Sequence, residues 1–260
     1  MTFYYPTNPS ISLTSKTLIV PVVSVGNVSQ LAADLLISTF ELEQIGVFDP
    51  QDLVPVIGAR EDGAGVSTPL ELYGKDGKDI LVIQQRSPVL KSRKAAFSTS
   101  LLAFIQENNI GAVLYLTGVD LTNRSDAQML SPTYMFSAAN SPALDTSPIS
   151  LIKQLPTYKF ESSERSPTPS PSIPFIPGGG LTRRLLALSS SPSSISKSNK
   201  KPIPSAAILQ FVLEGDNRAD AEFFAGVVAR ILKLQVEQWR QPPSWSVGLF
   251  GTPHDQTLYG

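Results

Sequence analysis

The run Thr17–Val23, Thr-Leu-Ile-Val-Pro-Val-Val, limits the possible folds more than any other stretch of the chain. It is short and β-branched, and it is apolar at odd and even positions alike. A strand with one wet face alternates, so a strand without alternation must be covered on both faces. Pro21 inside the run argues for an edge position or a bulge, because proline cannot donate to a ladder. Ser24-Val25-Gly26-Asn27 then reads as a turn. Asn27 is placed to cap a helix, with Gln30 completing a capping-box-like pair. Val28, Leu31, Ala32, Leu35 and Leu36 follow the i, i+3, i+4, i+7, i+8 spacing of one helical face. The chain therefore opens as a buried strand, a tight turn and an amphipathic helix.

The same grammar recurs. Gly46–Phe48 and Leu53–Ile57 read as short strands. Leu70–Tyr73 and Asp79–Gln85 flank Gly74-Lys75-Asp76-Gly77-Lys78 as a hairpin. Lys94–Asn108 reads as a helix with Phe97, Leu101, Phe104 and Ile105 along one stripe, and Ala112–Thr117 as another apolar strand. Gly118–Ser131 is polar and turn-rich. Ala206–Leu213 reads as a strand. A helix capped by Asp216 or Asn217 follows it, burying Ala221, Phe224, Ala225, Val228, Ile231 and Leu232. That helix is expected to reach Trp239 and to stop before Pro242-Pro243. Strands alternating with helices, plus one hairpin, predict an α/β chain: a three-layer α/β/α sandwich around a mixed β-sheet.

Two segments break the pattern. Residues 162–172 and 189–205 are rich in serine, proline and lysine and nearly lack large apolar side chains. Such segments cannot bury enough surface to offset their ordering entropy, so both are expected to be disordered insertions. Between them Ile173–Leu188 reads as an ordered island. Neither the last strand nor the last helix has a core of its own, so residues 1–260 are expected to form a single domain with a flexible tail over 251–260.

Composition narrows the function classes. Hydrophobic residues make up 42% of the 260 residues and charged residues 17%, which is enough for a sizeable core. A net charge of −1 gives no basis for electrostatic capture of nucleic acid or an anionic membrane. The basic runs Lys91–Lys94 and Lys197–Lys201 lack interleaved aromatics. Cysteine is absent, so thiolate nucleophiles, disulfides and cysteine metal sites are excluded, and a reducing compartment is the simplest setting. The N-terminus carries no signal-peptide pattern. The one histidine, His254, stands six residues from the C-terminus beside Gly251, Pro253 and Asp255, a poor place for a rigid triad.

Pro177-Gly178-Gly179-Gly180 precedes a helix start. It reads as a tight turn rather than a phosphate loop, since neither the P-loop nor the dinucleotide pattern is complete. Glu214, Asp216 and Asp220 gather at a strand end where α/β sheets bind ligands, but capping and turn chemistry explain Asp216, Asn217 and Asp220 equally well. No catalytic residue, cofactor site or metal site is assigned from these patterns.

Four stretches carry a resemblance. Pro21-Val22-Val23-Ser24-Val25-Gly26-Asn27-Val28, Ile176-Pro177-Gly178-Gly179-Gly180-Leu181-Thr182, Phe211-Val212-Leu213-Glu214-Gly215-Asp216-Asn217, and Pro243-Ser244-Trp245 with Leu249-Phe250-Gly251 stand in one order along the chain. Together they resemble the proteasome assembly chaperone 2 family over most of the chain outside the serine-rich segments. The resemblance implies an α/β/α sandwich related to nucleoside-phosphorylase-like folds without that activity. It implies a heterodimer with proteasome assembly chaperone 1, present in cytoplasm and nucleus. The pair would bind the α-ring of the 20S proteasome through its α-subunits, promoting assembly and preventing off-pathway dimerisation.

Under that resemblance the last three residues acquire a role. Leu258-Tyr259-Gly260 matches the hydrophobe-tyrosine-any (HbYX) tail of proteasome binders. Leu258 would bury in a groove between α-subunits, Tyr259 would add ring packing and a hydroxyl hydrogen bond, and the Gly260 carboxylate would meet a lysine. Two other readings of the chain remain. One is a nucleoside-like small-molecule binder or enzyme, with Asn27, Gly178–Gly180 and Asp216 near a pocket. The other is a homodimeric scaffold unrelated to proteasomes.

Overall fold

The computed structural model describes residues 2–61, 63, 65–138, 144–160, 173–190 and 203–247. Ten strands occur among them: β1 Tyr4–Pro6, β2 Thr17–Pro21, β3 Glu43–Phe48, β4 Gly58–Ala59, β5 Val66–Ser67, β6 Leu70–Gly74, β7 Ile80–Gln85, β8 Ala112–Asp120, β9 Thr133–Phe136 and β10 Ser205–Val212. Four α-helices accompany them: α1 Val28–Thr39, α2 Lys94–Glu107, α3 Gly180–Ser189 and α4 Arg218–Ile231. Eight strands form one sheet in the order β1-β3-β6-β7-β2-β8-β10-β9, and β4 and β5 form a separate hairpin. The four central strands β7, β2, β8 and β10 are parallel, while β6, β3 and β1 extend one side antiparallel and β9 closes the other.

The sandwich follows from the apolar faces. Phe97, Leu101 and Phe104 of α2 and Leu181, Leu185 and Leu186 of α3 share a core with Leu18, Val20, Val113 and Tyr115 on one sheet face. The opposite parity, Ile19, Leu114 and Ile208, meets Val28, Leu35 and Leu36 of α1 and Phe224 and Val228 of α4. A strand apolar on both parities is what a two-sided cover requires. At the β1 edge, Gly46 lets the Tyr4 ring lie directly on β3. A Cβ there would stand 2.3 Å from the ring. Burial pushes the Tyr4 hydroxyl up to about 12.

Several local expectations are corrected. β2 lies at the centre of the sheet and has no bulge, so Pro21 marks neither an edge nor a bulge. The missing N–H has the same parity as Thr17, whose N–H bonds Asp79 O toward β7, and the β2–β7 ladder ends at Ile19. Proline thus falls where that side needs no donor. Asn27 is the residue before α1 but makes no side-chain cap; it sits at φ 50°, a left-handed conformation rather than the extended one a capping residue adopts. Residues 53–57 are not a strand: Leu53 makes one bridge to Val89, and the chain then runs into the β4–β5 hairpin. The last helix ends at Ile231, well before Trp239. Lys233 turns left-handed at φ 55° and lets the Leu234 N–H bond Ala229 O, so the prolines are not what stops it. β1 and β9 had no counterpart in the sequence reading.

The expected loop 189–205 is trimmed at both ends, because Ser189 closes α3 and Ser205 opens β10. Its remainder, 191–202, the loop 162–172 and the tail 251–260 lie outside the described residues. Among the described residues no helix is long and apolar enough to cross a membrane.

Candidate functional site

All four parallel strands run the same way, so their C-terminal ends share one edge of the sheet. The N-termini of α1, α2 and α4, which follow β2, β7 and β10, stand there too. Three of the sequence-singled regions meet at this edge. Gly26 adopts φ 62° against Asn217, and a Cβ on Gly26 would lie 2.2 Å from the Asn217 side-chain nitrogen. Asn217 Nδ2 is 2.9 Å from Leu213 O, 3.2 Å from Gly26 O and 3.2 Å from Gly215 O. Of the two side chains expected to cap α4, Asn217 therefore ties the β10 turn to the β2 turn instead, while Asp216 Oδ1 accepts from the Arg218 N–H at 3.2 Å. Ser24 Oγ accepts from Gly118 N at 2.7 Å and joins β8 to the same corner.

The acidic cluster does not converge. Asp216 accepts from the Arg218 guanidinium at 2.9 Å, which holds its carboxyl below the usual range, and Asp220 lies in the first turn of α4. Glu214 is exposed. The glycine run behaves as a turn: Gly178 sits at φ 69°, and Gly179 packs on Ile176 immediately before α3. Gly180 faces Lys94, while Thr182 donates to Thr117 at 3.2 Å in the core. Among the described residues no group of three or more His, Asp or Glu side chains is placed to hold a metal ion.

A second polar region lies beside α1. Asp34 accepts from Gln84 Nε2 at 2.6 Å and pairs with Arg86 at 3.1 Å. Burial pushes the Asp34 carboxyl up, against the pull of Arg86 and Gln84. Nearby, buried Glu71 accepts from Gln44 at 2.9 Å, from the Thr68 N–H at 2.8 Å and from the Tyr73 hydroxyl at 2.8 Å. Burial, then the Glu71 charge, pushes the Tyr73 phenol up. These groups line or underlie a cleft of about 660 Å³ between α1, β3, the β4–β5 hairpin and Pro242-Pro243. Asp34 has a charged partner in Arg86, whereas Glu71 is held by the neutral donors Gln44, Thr68 and Tyr73.

The segment that closes this cleft was legible only as a motif. After α4 the chain turns back along α1. Arg240 N donates to Thr39 Oγ1 at the end of α1, and its guanidinium pairs with Glu41. Ser244 donates to Glu61 at the tip of the hairpin from its N–H at 3.0 Å and its hydroxyl at 2.6 Å. Trp245 is buried in the α1–α4 core, and Arg218 reaches its carbonyl. The Pro-Ser-Trp motif signals this strap, but the partners Thr39, Glu41, Glu61 and Arg218 carry no mark in the sequence. Leu258, Tyr259 and Gly260, and His254, lie outside the described residues.

Residues 18–158 match the model of the PAC2 family. Proteasome assembly chaperone 2 of Mus musculus is 33% identical over 95% of this chain and 96% of the mouse protein. The Homo sapiens protein of the same name is 33% identical over 94% of each chain. Two solved structures share the fold. Pyrococcus furiosus PbaA, described as an archaeal homolog of proteasome-assembly chaperone, has a TM-score of 0.61 at 18% identity, over 90% of this chain and 88% of PbaA. Pyrococcus furiosus PbaB, described as an archaeal proteasome activator, has a TM-score of 0.58 at 15% identity, over 91% of this chain and 92% of PbaB. Nearly full-length identity, combined with a shared sheet and helix arrangement, means that the chain belongs to the PAC2 family, among its proteasome assembly chaperone members.

Proposed function

We propose that this protein is a non-catalytic assembly chaperone that pairs with a related α/β chaperone, proteasome assembly chaperone 1, and binds the α-ring of the 20S proteasome. The observation that carries the reading is identity of 33% over 95% of the chain to the mouse protein, a match that spans the strap as well as the sheet. The physical arrangement is in keeping with it. The turn corner at the sheet's C-terminal edge, where a nucleoside-like ligand would sit in an open α/β sheet, is filled by the chain's own Asn217. Leu258, Tyr259 and Gly260 supply an apolar group, a phenol and a carboxylate for grooves between α-subunits. A tail of this size binds weakly alone, and tethering it to a docked body raises its effective concentration. In this role the pair promotes ring assembly and blocks off-pathway dimerisation, in cytoplasm and nucleus.

The test is affinity purification of the native protein at low salt, with every co-eluting chain identified. The expected result is one related α/β partner together with α-subunits of immature core particles. Recovery as a lone monomer, free of both, overturns the reading.

A further inference from the structure

We infer that the outer face of α4 is a self-complementary docking surface, on which a second copy of this chain seats its own α4 antiparallel to the first. The inference concerns the chain by itself. It goes beyond the reading just proposed and does not depend on it.

The pattern along the helix supplies the first argument. Phe224, Ala225 and Val228 turn into the core, and the opposite side of α4 carries Ala219, Glu222, Phe223, Gly226 and Arg230. At 3.6 residues per turn these five fall in one stripe about 100° wide. Ala219, Glu222, Phe223 and Arg230 are exposed, Phe223 to 49%. Gly226 stands midway between Glu222 and Arg230, about 6 Å along the axis from each. A two-fold axis beside Gly226, perpendicular to the helix, therefore sets each Glu222 level with the Arg230 of the other copy, and the pairing occurs twice. Neither residue has an ion-pair partner among the described residues. Arg230 suits the last turn of α4 by its charge alone, but Gly226 has no such local reason. Glycine weakens a helix interior relative to alanine, and a Cβ at Gly226 would meet nothing within 4 Å. A bare backbone at the centre of a solvent-facing stripe lets a second helix approach closely there.

The groove beside the stripe supplies the second argument. It has a volume of about 740 Å³, and Phe223, Gly226, Val227, Leu155, Pro156 and Trp239 give it an apolar lining. Phe223 is three residues from Gly226, so under the same two-fold axis its ring stands beside the glycine and the groove of the other copy. Each copy then offers one ring and one groove, one acid and one base. An unrelated partner would have to carry these groups at matching spacing, whereas a second copy carries them by symmetry. Aromatic anchors in an apolar groove with charges paired at the rim are the usual make-up of a specific interface.

The experiment is sedimentation velocity on the full-length chain purified by itself, over a range of about 1 to 100 µM. A monomer–dimer equilibrium is expected within that range. Glu222→Arg sets arginine against Arg230 at both ends of the contact and is expected to weaken the dimer by at least about tenfold. Glu222→Arg with Arg230→Glu restores the pairing in the reversed sense and is expected to return the dimer to within about threefold of the unmodified chain. Gly226→Gln raises helix propensity and meets no neighbour in the monomer, so it is expected to abolish the dimer while the unfolding temperature holds or rises. A chain that stays monomeric at about 100 µM, a dimer that tolerates Glu222→Arg or Gly226→Gln, or a double charge reversal without rescue overturns the inference. None of these outcomes decides the chaperone reading, which the affinity purification tests separately.

Discussion

The two ends of the sheet differ in what they offer to solvent. At the end where β2, β7, β8 and β10 start, three of the connections are polar and short: Lys75-Asp76-Gly77-Lys78-Asp79 between β6 and β7, Asn108-Asn109 after α2, and Glu41 after α1. Their charges meet one another, as in the Lys75–Glu41 pair at 3.1 Å, and Lys16 donates to Lys78 O. At the other end the connections wind through short 3-10 turns and expose Val54, Leu90, Met129, Leu130 and Leu213. Both ends join the same strands, so strand closure does not require the apolar rim. A turn needs glycine, asparagine or a charged residue, and the first end uses them. Exposed leucine does nothing for a turn, so the second end is the more apolar of the two.

Four experiments break or sharpen that contrast. The largest effect is expected at the partly buried pair that ties α1 to the residue following β7. Asp34→Ala leaves the Arg86 guanidinium without its partner and should cost about 3 kcal/mol in denaturant unfolding. A loss under about 1 kcal/mol would mean that the pair does not hold the frame on which the two ends are built. Next, removing Leu258–Gly260 should weaken α-ring binding roughly tenfold through lost tethering, with the heterodimer unchanged by size-exclusion chromatography. Unchanged affinity would remove the tail from the account.

A smaller effect follows from the Asp34 titration. Its folded value is raised, chiefly by burial, with Arg86, Gln84 and Glu61 around it. Ionisation is therefore harder in the fold than in the unfolded chain. The stability it contributes is complete below about pH 4 and is lost as the pH rises through the raised folded value. Stability measured against Asp34→Asn should show the wild type losing ground over that rise, and a flat difference would contradict the direction. The smallest effect belongs to the polar end. Lys75→Glu with Lys78→Glu should shift stability by no more than about 0.5 kcal/mol and leave ring affinity within twofold, because exposed pairs contribute little. A tenfold loss of ring affinity there would reverse the assignment of the two ends.

The central elements were legible because burial on both faces leaves no choice of residue. Thr17–Pro21, Ala112–Asp120 and Ser205–Val212 are apolar at nearly every position, and α1 and α2 show their stripes in the spacing. The two outermost strands, β1 and β9, were not legible for the opposite reason. β1 holds its place through Tyr4 stacked over Gly46, and β9 through its ladder to β10 and the 156–158 segment, contacts that span dozens of residues. The corner was half legible. Gly26, Asn27 and Asn217 stood out as turn and cap residues, yet Asn217 spends its amide on Gly26 O and Leu213 O rather than on α4. Which backbone oxygen a short amide finds is decided by what folds next to it.

The amino-acid order alone determined the α/β alternation, the central strands, the two amphipathic layers and the family, because periodicity and local motifs are written residue by residue. Tertiary structure alone decided that Pro21 lies at the centre of the sheet, that the last helix stops at Ile231, and that residues 239–247 return along α1 past Thr39 and Glu61. Those outcomes depend on pairings between residues as far apart as Glu61 and Ser244, and no local pattern specifies a partner at that separation.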